Sequence, residues 1–521
     1  MAPFQRPAVG IDLGTTLSVL AVARSDGRIE TIPNAEGQPT TPSAVYFQGT
    51  DWAVGQGALD ALTREPDAVA IAVKRELGEP LYHKLLGGRQ YPPEALEAMI
   101  LHKLRHDARA VLGDFHQAVI TVPAYFDEVR RKATQDAGYM AGFEVLDIIN
   151  EPTAAAIAYG RQEGFLDERG APQRPLCVLV YDLGGGTFDV TVMRIEAGRF
   201  TALATDGDVR LGGHDWDDRL VDYVAGELRD AHGIEARERP ERVARLWREC
   251  EAAKQRLTDA DHTSIELAWD GRPVRIELTR RLFEDLTRDL LDRTRFTSQQ
   301  ALQAARMQWN KIDRVLLVGG STRMPMVRDM LRELTGQEPD ASLAADEAVA
   351  HGAALRARTL LEAGQSRPKL KVRNVNSHSL GLVARERATG RRRTAVIIPR
   401  NTPLPAQAKR VFRTKRDGQK SVLVEVVEGE TPSPDDCVPL GRCTARGLPP
   451  NLRAGTGVEV GFHYEQNGRL VIEVRLATDE RQLLSHELFR ENMLSQDQLD
   501  RWREFITGMP MGAVAGDGRW N

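Results

Sequence analysis

The stretch YDLGGGTFDV, residues 181–190, constrains the fold most because it sets three consecutive glycines between two apolar runs. An acid, Asp182, precedes the glycines, and a hydroxyl, Thr187, follows them. The alternating, β-branched residues after Thr187 predict a strand, so the glycines are predicted to form a hairpin turn. A P-loop and a dinucleotide-binding turn both require a helix at this point, and neither is therefore predicted.

Glycines in such a turn can adopt positive φ, and their N–H groups can then point together at an anion. A carboxylate beside a bound phosphate requires a cation between them, which makes Asp182 a candidate to hold Mg²⁺ through its waters. The alternative interpretation is a plain tight hairpin. These ten residues alone do not decide between the two.

The same construction occurs earlier, in VGIDLGTTLSVLAV at residues 9–22, where Asp12 stands 170 positions before Asp182. Two hairpins of this kind predict two similar α/β lobes that close on one nucleotide, with an acid from each lobe near the metal. The duplication therefore favours the phosphate-binding interpretation over two unrelated tight turns.

A third glycine turn lies in VLLVGGSTRMP, residues 315–325. Its pattern predicts a buried strand, a turn, and a helix with Ser321 or Thr322 as its N-cap and Pro325 in its first turn. Close approach of the backbone to a nucleoside would explain the paired glycines. A simple strand-to-helix turn would explain them too, and from this stretch alone it is the favoured interpretation.

Composition excludes several classes of protein. The 521 residues carry a net charge of −4 with a pI near 6.3, so no global field indicates nucleic acid as a partner. The four cysteines are too scattered for a disulfide framework or a zinc site, which favours a reducing compartment. The N-terminus lacks an apolar signal core, and no run is long enough to cross a bilayer. We therefore expect a cytoplasmic protein without a membrane segment.

The order of patterns predicts an α/β fold with a second, all-β domain. Strands alternate with amphipathic helices over residues 1–362, residues 363–379 have linker composition, and residues 380–484 alternate as in a small β sandwich. In that last region Asn467-Gly468 is a strong hairpin signal. Residues 485–521 are predicted to form a short helical tail, with helices in SHELFRENML and SQDQLDRWREFI and a capping box at the start of the second.

Five motifs together carry a resemblance to a known family. They are GIDLGTTLSVLAV, NEPTAAAIAYG, VYDLGGGTFDVTVM, VLLVGGSTRMP and DEAVAHGAA, followed by the β pattern. In this order they resemble the seventy-kilodalton heat-shock chaperones, the DnaK-like proteins. The resemblance implies an actin-like ATPase domain of two lobes, joined by a linker to a β sandwich that grips extended apolar peptides, in a protein of the stress response and of protein folding. It implies ATP or ADP with Mg²⁺ as cofactors, K⁺ as a further candidate, and unfolded polypeptides and co-chaperones as partners.

The resemblance also assigns the residues of an ATPase site. It implies Lys74 and Glu151 as catalytic groups, although a lone lysine is usually solvated and Glu151 could simply follow an N-cap at a helix start. The magnesium-side acids are again Asp12 and Asp182, with Thr187 as a hydroxyl partner. The other residues implied to contact nucleotide are Gly14, Thr15, Thr16, Gly184, Gly185, Gly186, Gly213, Glu251, Lys254, Gly319, Gly320, Ser321, Arg323 and Asp346. From spacing alone, Glu251 and Lys254 indicate an ordinary surface ion pair on one helix.

The resemblance implies that Pro123 and Arg131 relay the state of the nucleotide to the linker. Asp147 stands where the family has an arginine, and the linker has the basic segment Lys371–Arg373 where the family has leucines. We expect these changes to compensate through a pair between Asp147 and Lys371 or Arg373, with drift and lost coupling as the alternative. An acid at position 147 argues against pairing with an ordinary J-domain protein.

In the β domain the resemblance aligns two segments with peptide-cleft strands. Their apolar lining would be Leu382, Phe412, Val422 and Val424. Arg385 and Lys415 take positions where small or apolar residues are usual, so the cleft is predicted to prefer peptides with acids beside an apolar anchor. Only short helices follow Ser485, so no long helical lid is expected.

Three hypotheses follow from the sequence. The first is an ATP-dependent chaperone whose ATP binding and hydrolysis control the release of polypeptide clients. The second is an ATP-hydrolysing regulator or scaffold of the same family with weakened coupling between domains. The third is a small-molecule kinase on the actin-like fold, against which the β domain argues.

Overall fold

The structure is a computed structural model of the whole chain. It describes residues 7–24, 26–166, 174–269, 272–362, 370–386, 388–465, 469–478, 482–487 and 494–508. Within these ranges, no helix combines the length and the apolar character needed to cross a bilayer.

Residues 7–166 form a first lobe built on a six-stranded sheet of order β3-β2-β1-β8-β9, with β4 attached to β2. Strand β1 pairs antiparallel with β2 and parallel with β8, and a three-stranded sheet β6-β5-β7 lies beside it. The strands are β1 (Ala8–Asp12), β2 (Leu17–Ala23), β3 (Ile29–Ile32), β4 (Thr41–Pro42), β5 (Val45–Gln48), β6 (Asp51–Val54), β7 (Val69–Ala70), β8 (Gln117–Val122) and β9 (Glu144–Asn150). The helices are α1 (Gln56–Ala61), α2 (Pro93–Leu112), α3 (Glu128–Met140) and α4 (Glu151–Gln162).

Residues 174–362 add a second lobe that repeats this plan, and their last helix packs back on β1 and β2 of the first lobe. Its sheet has the order β15-β10-β11-β12, in which β10 pairs antiparallel with β11 and parallel with β15, as β1 does with β2 and β8. The strands are β10 (Leu176–Leu183), β11 (Phe188–Glu196), β12 (Arg199–Asp208), β13 (His262–Trp269), β14 (Arg272–Thr279) and β15 (Arg314–Val318). The helices are α5 (Gly213–His232), α6 (Pro240–Asp259), α7 (Arg280–Leu286), α8 (Arg288–Ala304), α9 (Pro325–Thr335) and α10 (Ala348–Leu361). The predicted pair of similar α/β lobes is thus confirmed.

Small residues let α4 and α10 pack closely between the two sheets. A Cβ at Gly352 would lie 1.8 Å from the Ala154 carbonyl oxygen, so only glycine fits at this crossing. Ala154 and Ala353 are fully buried in the cluster that joins the lobes. The runs of small residues in EPTAAAIAYG and DEAVAHGAA are therefore a packing requirement, and the close contact brings the two hairpins to face each other across one cleft.

The β domain is a sandwich of two four-stranded sheets, β18-β17-β20-β21 and β19-β22-β23-β24. Its elements, with the strand that precedes it, are β16 (Lys371–Arg373), β17 (Leu380–Arg385), β18 (Arg392–Ile398), β19 (Ala406–Arg413), β20 (Ser421–Glu428), β21 (Val438–Arg446), β22 (Gly457–Tyr464), β23 (Leu470–Leu476) and β24 (Gln482–Glu487). Strands β22 and β23 pair as the predicted hairpin, whose turn at Asn467-Gly468 lies outside the described residues.

The segment predicted as a free linker is partly structured. Strand β16 pairs parallel with β12, so Lys371 lies opposite Arg199 and Arg373 opposite Thr201 at the edge of the second lobe's sheet. The buried Leu370 joins the core between the lobes. The linker therefore docks by backbone hydrogen bonds and by the apolar side chains of Leu370, Val372 and Val375, and the two basic side chains of β16 stay exposed. The boundary at 363–379 stays a prediction, because residues 363–369 lie outside the described ranges.

The β domain contacts the lobes mainly through polar groups, and Val129 of α3 also packs against the sandwich core. The Arg400 guanidinium lies 2.7 Å from an Asp206 carboxylate oxygen, and the Asn401 side chain accepts a hydrogen bond from the Thr205 N–H at 2.9 Å. On the first lobe, the Glu128 N–H donates to the Glu428 carboxylate at 3.1 Å. These contacts fix the sandwich against both lobes.

The C-terminal region differs from the helical tail that the sequence predicts. The segment SHELFRENML is not a helix where it is described, because its first three residues complete β24 in the second sandwich sheet. Residues 488–493 of that segment lie outside the described residues. Helix α11 (Gln496–Gly508) does form, and Gln498 accepts a hydrogen bond from the Ser495 N–H at 2.8 Å, as a capping box requires. Instead of covering the sandwich, α11 packs on α2 and α3 of the first lobe.

Candidate active site

A cavity of about 460 Å³ lies between the two lobes, where the two hairpins face each other. This volume is typical of a site for a small molecule or cofactor. Eighteen of the predicted site residues line it, namely Asp12, Gly14, Thr15, Thr16, Lys74, Glu151, Asp182, Gly184, Gly185, Thr187, Gly213, Glu251, Lys254, Gly319, Gly320, Ser321, Arg323 and Asp346. Gly186 lies just behind this lining, against Thr15.

The glycines of the second hairpin allow close packing and do not adopt an unusual φ. None of Gly184, Gly185 and Gly186 has positive φ, contrary to the sequence-based expectation. A Cβ at Gly185 would lie 2.0 Å from the Thr16 hydroxyl, and one at Gly186 would lie 2.5 Å from Thr15. The bare backbone therefore lets the hydroxyls of the first hairpin approach the second, which makes a narrow polar cradle of the size and character that phosphate groups need.

The third glycine turn is shaped differently from its prediction. Gly319 has a φ of 83°, which favours glycine, and a Cβ there would lie 2.4 Å from the Leu183 carbonyl oxygen. Neither hydroxyl caps a helix: Ser321 donates to the Gly184 carbonyl at 3.0 Å, and Thr322 donates to Gly319 at 2.7 Å. A short 3₁₀ turn precedes α9, which begins at Pro325 as expected. Ser321 thus ties this turn to the second hairpin.

Lys74 is buried at the bottom of the cleft, not solvated on the surface. Its ammonium donates to the Glu151 carboxylate and to the Leu13 carbonyl oxygen, each at 2.5 Å, and the residue is only 2% exposed. Burial alone would lower the pKa of Lys74, but the carboxylates of Glu151 and Asp12 raise it above its ordinary value. A permanent cation therefore faces the cavity, and one of its three N–H groups is left for an anion.

Besides Glu151, three aspartates lie buried or half-buried in or just behind this part of the cleft. Burial and the nearby Glu151 carboxylate raise the pKa of Asp12 to about 7, and the same causes raise the pKa of Asp182 well above its usual range. Burial, and to a lesser extent the Glu151 carboxylate, raises the pKa of Asp189 to about 7. One lysine does not balance this much negative charge, so the site is built to receive a cation.

The acids do not form a complete metal site by themselves. In the described part of the chain, no group of three or more His, Cys, Asp or Glu side chains is placed to hold a metal ion. Asp12 and Asp182 suit Mg²⁺, which keeps several waters and usually takes one or two carboxylates together with phosphate oxygens. The residues present therefore fit Mg²⁺ that is bound with a phosphate group.

On the second lobe the predicted ion pair between Glu251 and Lys254 does not form. Lys254 donates to the buried Asp217 at 2.8 Å and to the Gly213 carbonyl at 3.0 Å, whereas Glu251 lies 3.6 Å from Arg248. Both side chains nevertheless line the cavity. Lys254 therefore fixes the start of α5, which places Gly213 beside the cradle.

The far wall of the cavity carries Arg323 and Asp346, which form an ion pair. Asp346 follows Ala344-Ala345 and still lines the cavity beside Gly320. This pair presents both a donor and an acceptor at the cavity's open end, which suits the hydroxyls and phosphates of a nucleoside phosphate.

Sequence reasoning did not single out His214, which also lines the cavity. Its Nε2 lies 3.0 Å from the Thr16 hydroxyl, so it joins the second lobe to the first hairpin. Burial lowers the pKa of His214 to about 3, which keeps the ring neutral. The residue follows the Gly212-Gly213 pair at the start of α5, but a lone histidine carries no local pattern that predicts this contact across the cleft.

Pro123 and Arg131 lie outside the cavity but at a junction with the β domain. Arg131 donates to the carbonyl oxygens of Ala124 and Phe126, at 3.1 Å and 3.2 Å, and so holds the turn that follows Pro123. In the same turn the Ala124 N–H donates to the Asp189 carboxylate at 3.1 Å. This turn therefore contacts the second lobe directly.

The expected pair between Asp147 and the linker is wrong. Asp147 binds the Arg356 guanidinium of α10 at 2.8 Å. It lies on β9, an edge strand of the first lobe's sheet, whereas Lys371 and Arg373 lie on β16 at the edge of the other sheet. Because the two segments belong to different sheets, the charge changes at these positions do not compensate each other by direct contact.

The predicted peptide-binding residues are placed at one end of the sandwich, with differing exposure. Leu382 and Val424 are buried in the sandwich core, at 5% and 1% exposure, while Phe412 and Val422 are half-buried at its margin. The predicted apolar lining is therefore only partly open to a ligand. Arg385 and Lys415, the predicted rim residues, are both exposed, and their role at a peptide site stays a prediction.

The duplicated lobes, the cavity between their hairpins and the attached sandwich together define an actin-like nucleotide-binding architecture with a β-sandwich domain. The sequence model of the Hsp70 protein family matches residues 8–87 and 81–505 of this chain. The chain therefore belongs to the Hsp70 family, and the resemblance of its five motifs is confirmed.

Several relatives are named "Chaperone protein DnaK". The protein from Thermotoga maritima is 40% identical over 516 residues, which cover 97% of this chain and 84% of the relative. That from Thermotoga neapolitana is 42% identical over 479 residues, covering 90% and 78%. That from Thermosipho africanus is 40% identical over 512 residues, covering 96% and 83%. The similarity thus spans both lobes and the β domain.

Proposed function

We infer that this protein is an ATP-dependent molecular chaperone that binds extended polypeptide segments and releases them under the control of ATP binding and hydrolysis. The observation that carries this inference is the buried Lys74–Glu151 pair facing Asp12 and Asp182 in a cavity between two hydroxyl-bearing hairpins. The membership of the chain in the Hsp70 family, with relatives named as chaperones, supports the same function. No observation favours a small-molecule kinase or an uncoupled regulator.

We propose that the residues contacting the phosphate groups lie on the two hairpins that face each other across the cavity. Asp12 and Asp182 would hold Mg²⁺, and Thr15, Thr16 and Thr187 would offer their hydroxyls to phosphate or its waters. Bound Mg²⁺ would neutralise charge on the γ-phosphate. K⁺ as a further cation is proposed on the family resemblance alone.

The catalytic pair acts through charge and orientation. Lys74, held by Glu151 and the Leu13 carbonyl, keeps its ammonium directed into the cavity, where it stabilises the negative charge that develops on the transferred group. Glu151 keeps this lysine charged and accepts a hydrogen bond, so it also suits the orientation of water. We propose that adenosine contacts Glu251, Lys254, Ser321, Arg323 and Asp346. The paired glycines at 319 and 320 allow the nucleoside to approach the backbone closely.

A continuous set of contacts supports coupling between the two sites. Asp189 on the second lobe accepts hydrogen bonds from the Ala124 and Tyr125 N–H groups, at 3.1 Å and 3.0 Å. The carbonyl oxygens of the same two residues bind Ser377 and His378, which lead into β17. A change of charge in the cleft can therefore reach the β domain through the turn held by Pro123 and Arg131, which we propose as relay residues.

The partners follow from the family and from this geometry. We propose unfolded or extended polypeptides as clients and co-chaperones as further partners, in the cytoplasm. Because Arg356 binds Asp147, the acid at this position is less available to repel a partner than its sequence suggested.

The first test measures ATP hydrolysis in a single turnover with wild type and Lys74→Ala. We expect the variant to lose at least about 100-fold in rate, because it removes one preorganised cation from the transition state. Lys311→Ala, which truncates an exposed lysine of the second lobe, is the matched control and should hydrolyse ATP at the wild-type rate. Wild-type hydrolysis by Lys74→Ala would contradict the assigned site.

The second measurement is the release of a fluorescent unfolded peptide with and without ATP. Accelerated release upon addition of ATP is the expected outcome, and Lys74→Ala should retain the acceleration that depends on binding alone. Peptide binding that ATP does not affect, with hydrolysis intact, would instead identify an uncoupled regulator.

A further inference from the structure

The β domain carries a strong local charge that the chain as a whole does not. Residues 385–420 contain twelve Lys or Arg and two Asp or Glu, a net charge of +10 in a protein of net charge −4. Such a segment creates a positive field that attracts acidic ligands within about a Debye length, which is roughly 10 Å at 0.1 M salt.

The strand registers bring these charges to one end of the sandwich. Strand β17 runs antiparallel to both β18 and β20, with Arg385 opposite Arg392 and Leu382 opposite Val426. The C-terminal end of β17 and the N-terminal ends of β18 and β20 therefore lie at the same end of their sheet, and β19 reaches that end in the facing sheet. We call this surface the basic end; its unpaired members are Arg385, Arg391, Arg410, Arg413, Lys415, Arg416 and Lys420.

Some charges of this segment are already neutralised, but these seven are not. Arg392 pairs with Asp435 at 2.9 Å, Lys409 with Glu459 at 3.0 Å, and Arg400 with Asp206 at 2.7 Å. No acidic side chain in the described part of the chain forms an ion pair with any of the seven, and all of them are exposed. Their charge is therefore available to a ligand.

Apolar groups lie among these cations. Phe412 and Val422 are half-buried at the margin of the sandwich core, and Leu423 next to them is 53% exposed. The Arg410 guanidinium lies 5.9 Å from the centre of the Phe412 ring. An apolar anchor surrounded by unpaired cations is complementary to a chain segment that carries an apolar residue beside carboxylates.

We propose that the basic end binds extended polypeptide segments in which an apolar residue is flanked by Asp or Glu, so that the clients of this chaperone are acidic segments. The proposal rests on the proposed function and defines its substrate class. Nucleic acid fits less well, because single strands bind through exposed aromatic faces together with cations. Phe412, the aromatic residue among the described members of this end, is half-buried and faces Arg410.

The test measures the affinity of the full-length protein for three fluorescent peptides by anisotropy. The peptides share one apolar core, which is flanked by glutamates, serines or lysines. We expect the glutamate-flanked peptide to bind at least about tenfold more tightly than the lysine-flanked one in low salt, since several weak ion pairs act together. The difference should shrink as salt is raised to several times the starting concentration.

A matched pair of charge reversals locates the effect. Lys415→Glu with Arg416→Glu should abolish or invert the preference, because two cations of the basic end become acids at exposed positions of the loop 414–420. Lys311→Glu with Arg328→Glu changes the net charge equally on an exposed part of the second lobe and should keep the preference.

Each other outcome has a definite meaning. Equal affinity for the three peptides, with measurable binding, would overturn the acidic preference and leave the chaperone function standing. Failure to bind any of them would count against the chaperone function itself. Displacement of the acidic peptide by a fluorescent single-stranded oligonucleotide, lost in the Lys415→Glu, Arg416→Glu variant, would show a nucleic-acid site and overturn the proposal.

Discussion

At the scale of single residues, Glu97 on α2 is a buried group that the proposed chemistry does not use. It is 1% exposed, and its Oε2 has no hydrogen-bond partner among the described residues. Burial raises the pKa of Glu97 to about 8, although the nearby Lys74 ammonium acts in the opposite direction. The folded protein thus keeps this carboxyl protonated at neutral pH.

Because the pKa of Glu97 is higher in the folded than in the unfolded chain, its contribution to stability is fully present below pH 4.5 and is lost as the pH rises to about 8. We expect Glu97→Gln to raise the free energy of unfolding at pH 8 by on the order of 2–4 kcal/mol and to change it little at pH 5. Denaturant titrations at both pH values check this. The exposed Glu238→Gln serves as the control, and an equal gain at both pH values would contradict the assignment.

Local sequence patterns predicted which residues matter better than they predicted why those residues are required. Gly185 was predicted to adopt a positive φ, yet glycine is required there because a Cβ would collide with the Thr16 hydroxyl. Asp147 was predicted to bind the linker, yet it binds Arg356. In both cases the decisive atom comes from a segment far away in the chain, which no local pattern specifies.

At the scale of elements, α11 shows how context decides the place of a helix. Its amphipathic sequence predicts the helix, but its apolar face packs on the first lobe, where Leu499 is 5% exposed and Ile506 is fully buried. The Trp502 ring lies 5.7 Å from that of Tyr91, and Asp500 accepts a hydrogen bond from the Tyr139 hydroxyl at 2.5 Å. A helix of 13 residues has little stability alone, so this packing holds it.

We therefore expect Ile506→Ala to weaken the docking of α11 by about 2–4 kcal/mol through the cavity it leaves. Amide hydrogen exchange of residues 496–508 should then become faster, whereas exchange in the sandwich should not change. Glu504→Ala, on the exposed face of the same helix, should leave the exchange rates as they are. If both variants exchange alike, α11 is not held by this face.

At the scale of the whole molecule, polar contacts hold the β domain against the lobes. The Arg400–Asp206 pair joins the two, and Asp206 is largely buried, at 12% side-chain exposure. Contacts of this kind suit a reversible interface because they stabilise docking weakly and each can be replaced by water. The same interface includes the docked strand β16, so release of the sandwich and of the linker should occur together.

We expect Arg400→Ala to shift the equilibrium toward the undocked state by about 1 kcal/mol, which is roughly a fivefold change in population. Hydrogen exchange at residues 371–373 should accelerate with it, because β16 loses its pairing when the sandwich departs. Arg453→Ala removes an exposed arginine of the same domain and should have no effect. Unchanged exchange in Arg400→Ala would mean that the apolar and backbone contacts alone hold the domain.

The sequence by itself determined the duplicated hairpins, the alternation of strands and helices, and the sandwich, because these depend on patterns within a few residues of each other. It also located most residues of the cleft, because the five motifs carry them in short stretches, whereas Lys74, Gly213, Glu251 and Lys254 lie outside these motifs and were assigned through the family resemblance. Only the tertiary structure decided the burial of Lys74, the partner of Asp147, the contact of His214 with Thr16 and the docking of α11 on the first lobe. These features arise where segments distant in the chain meet, and their energies depend on desolvation and packing that no single segment contains.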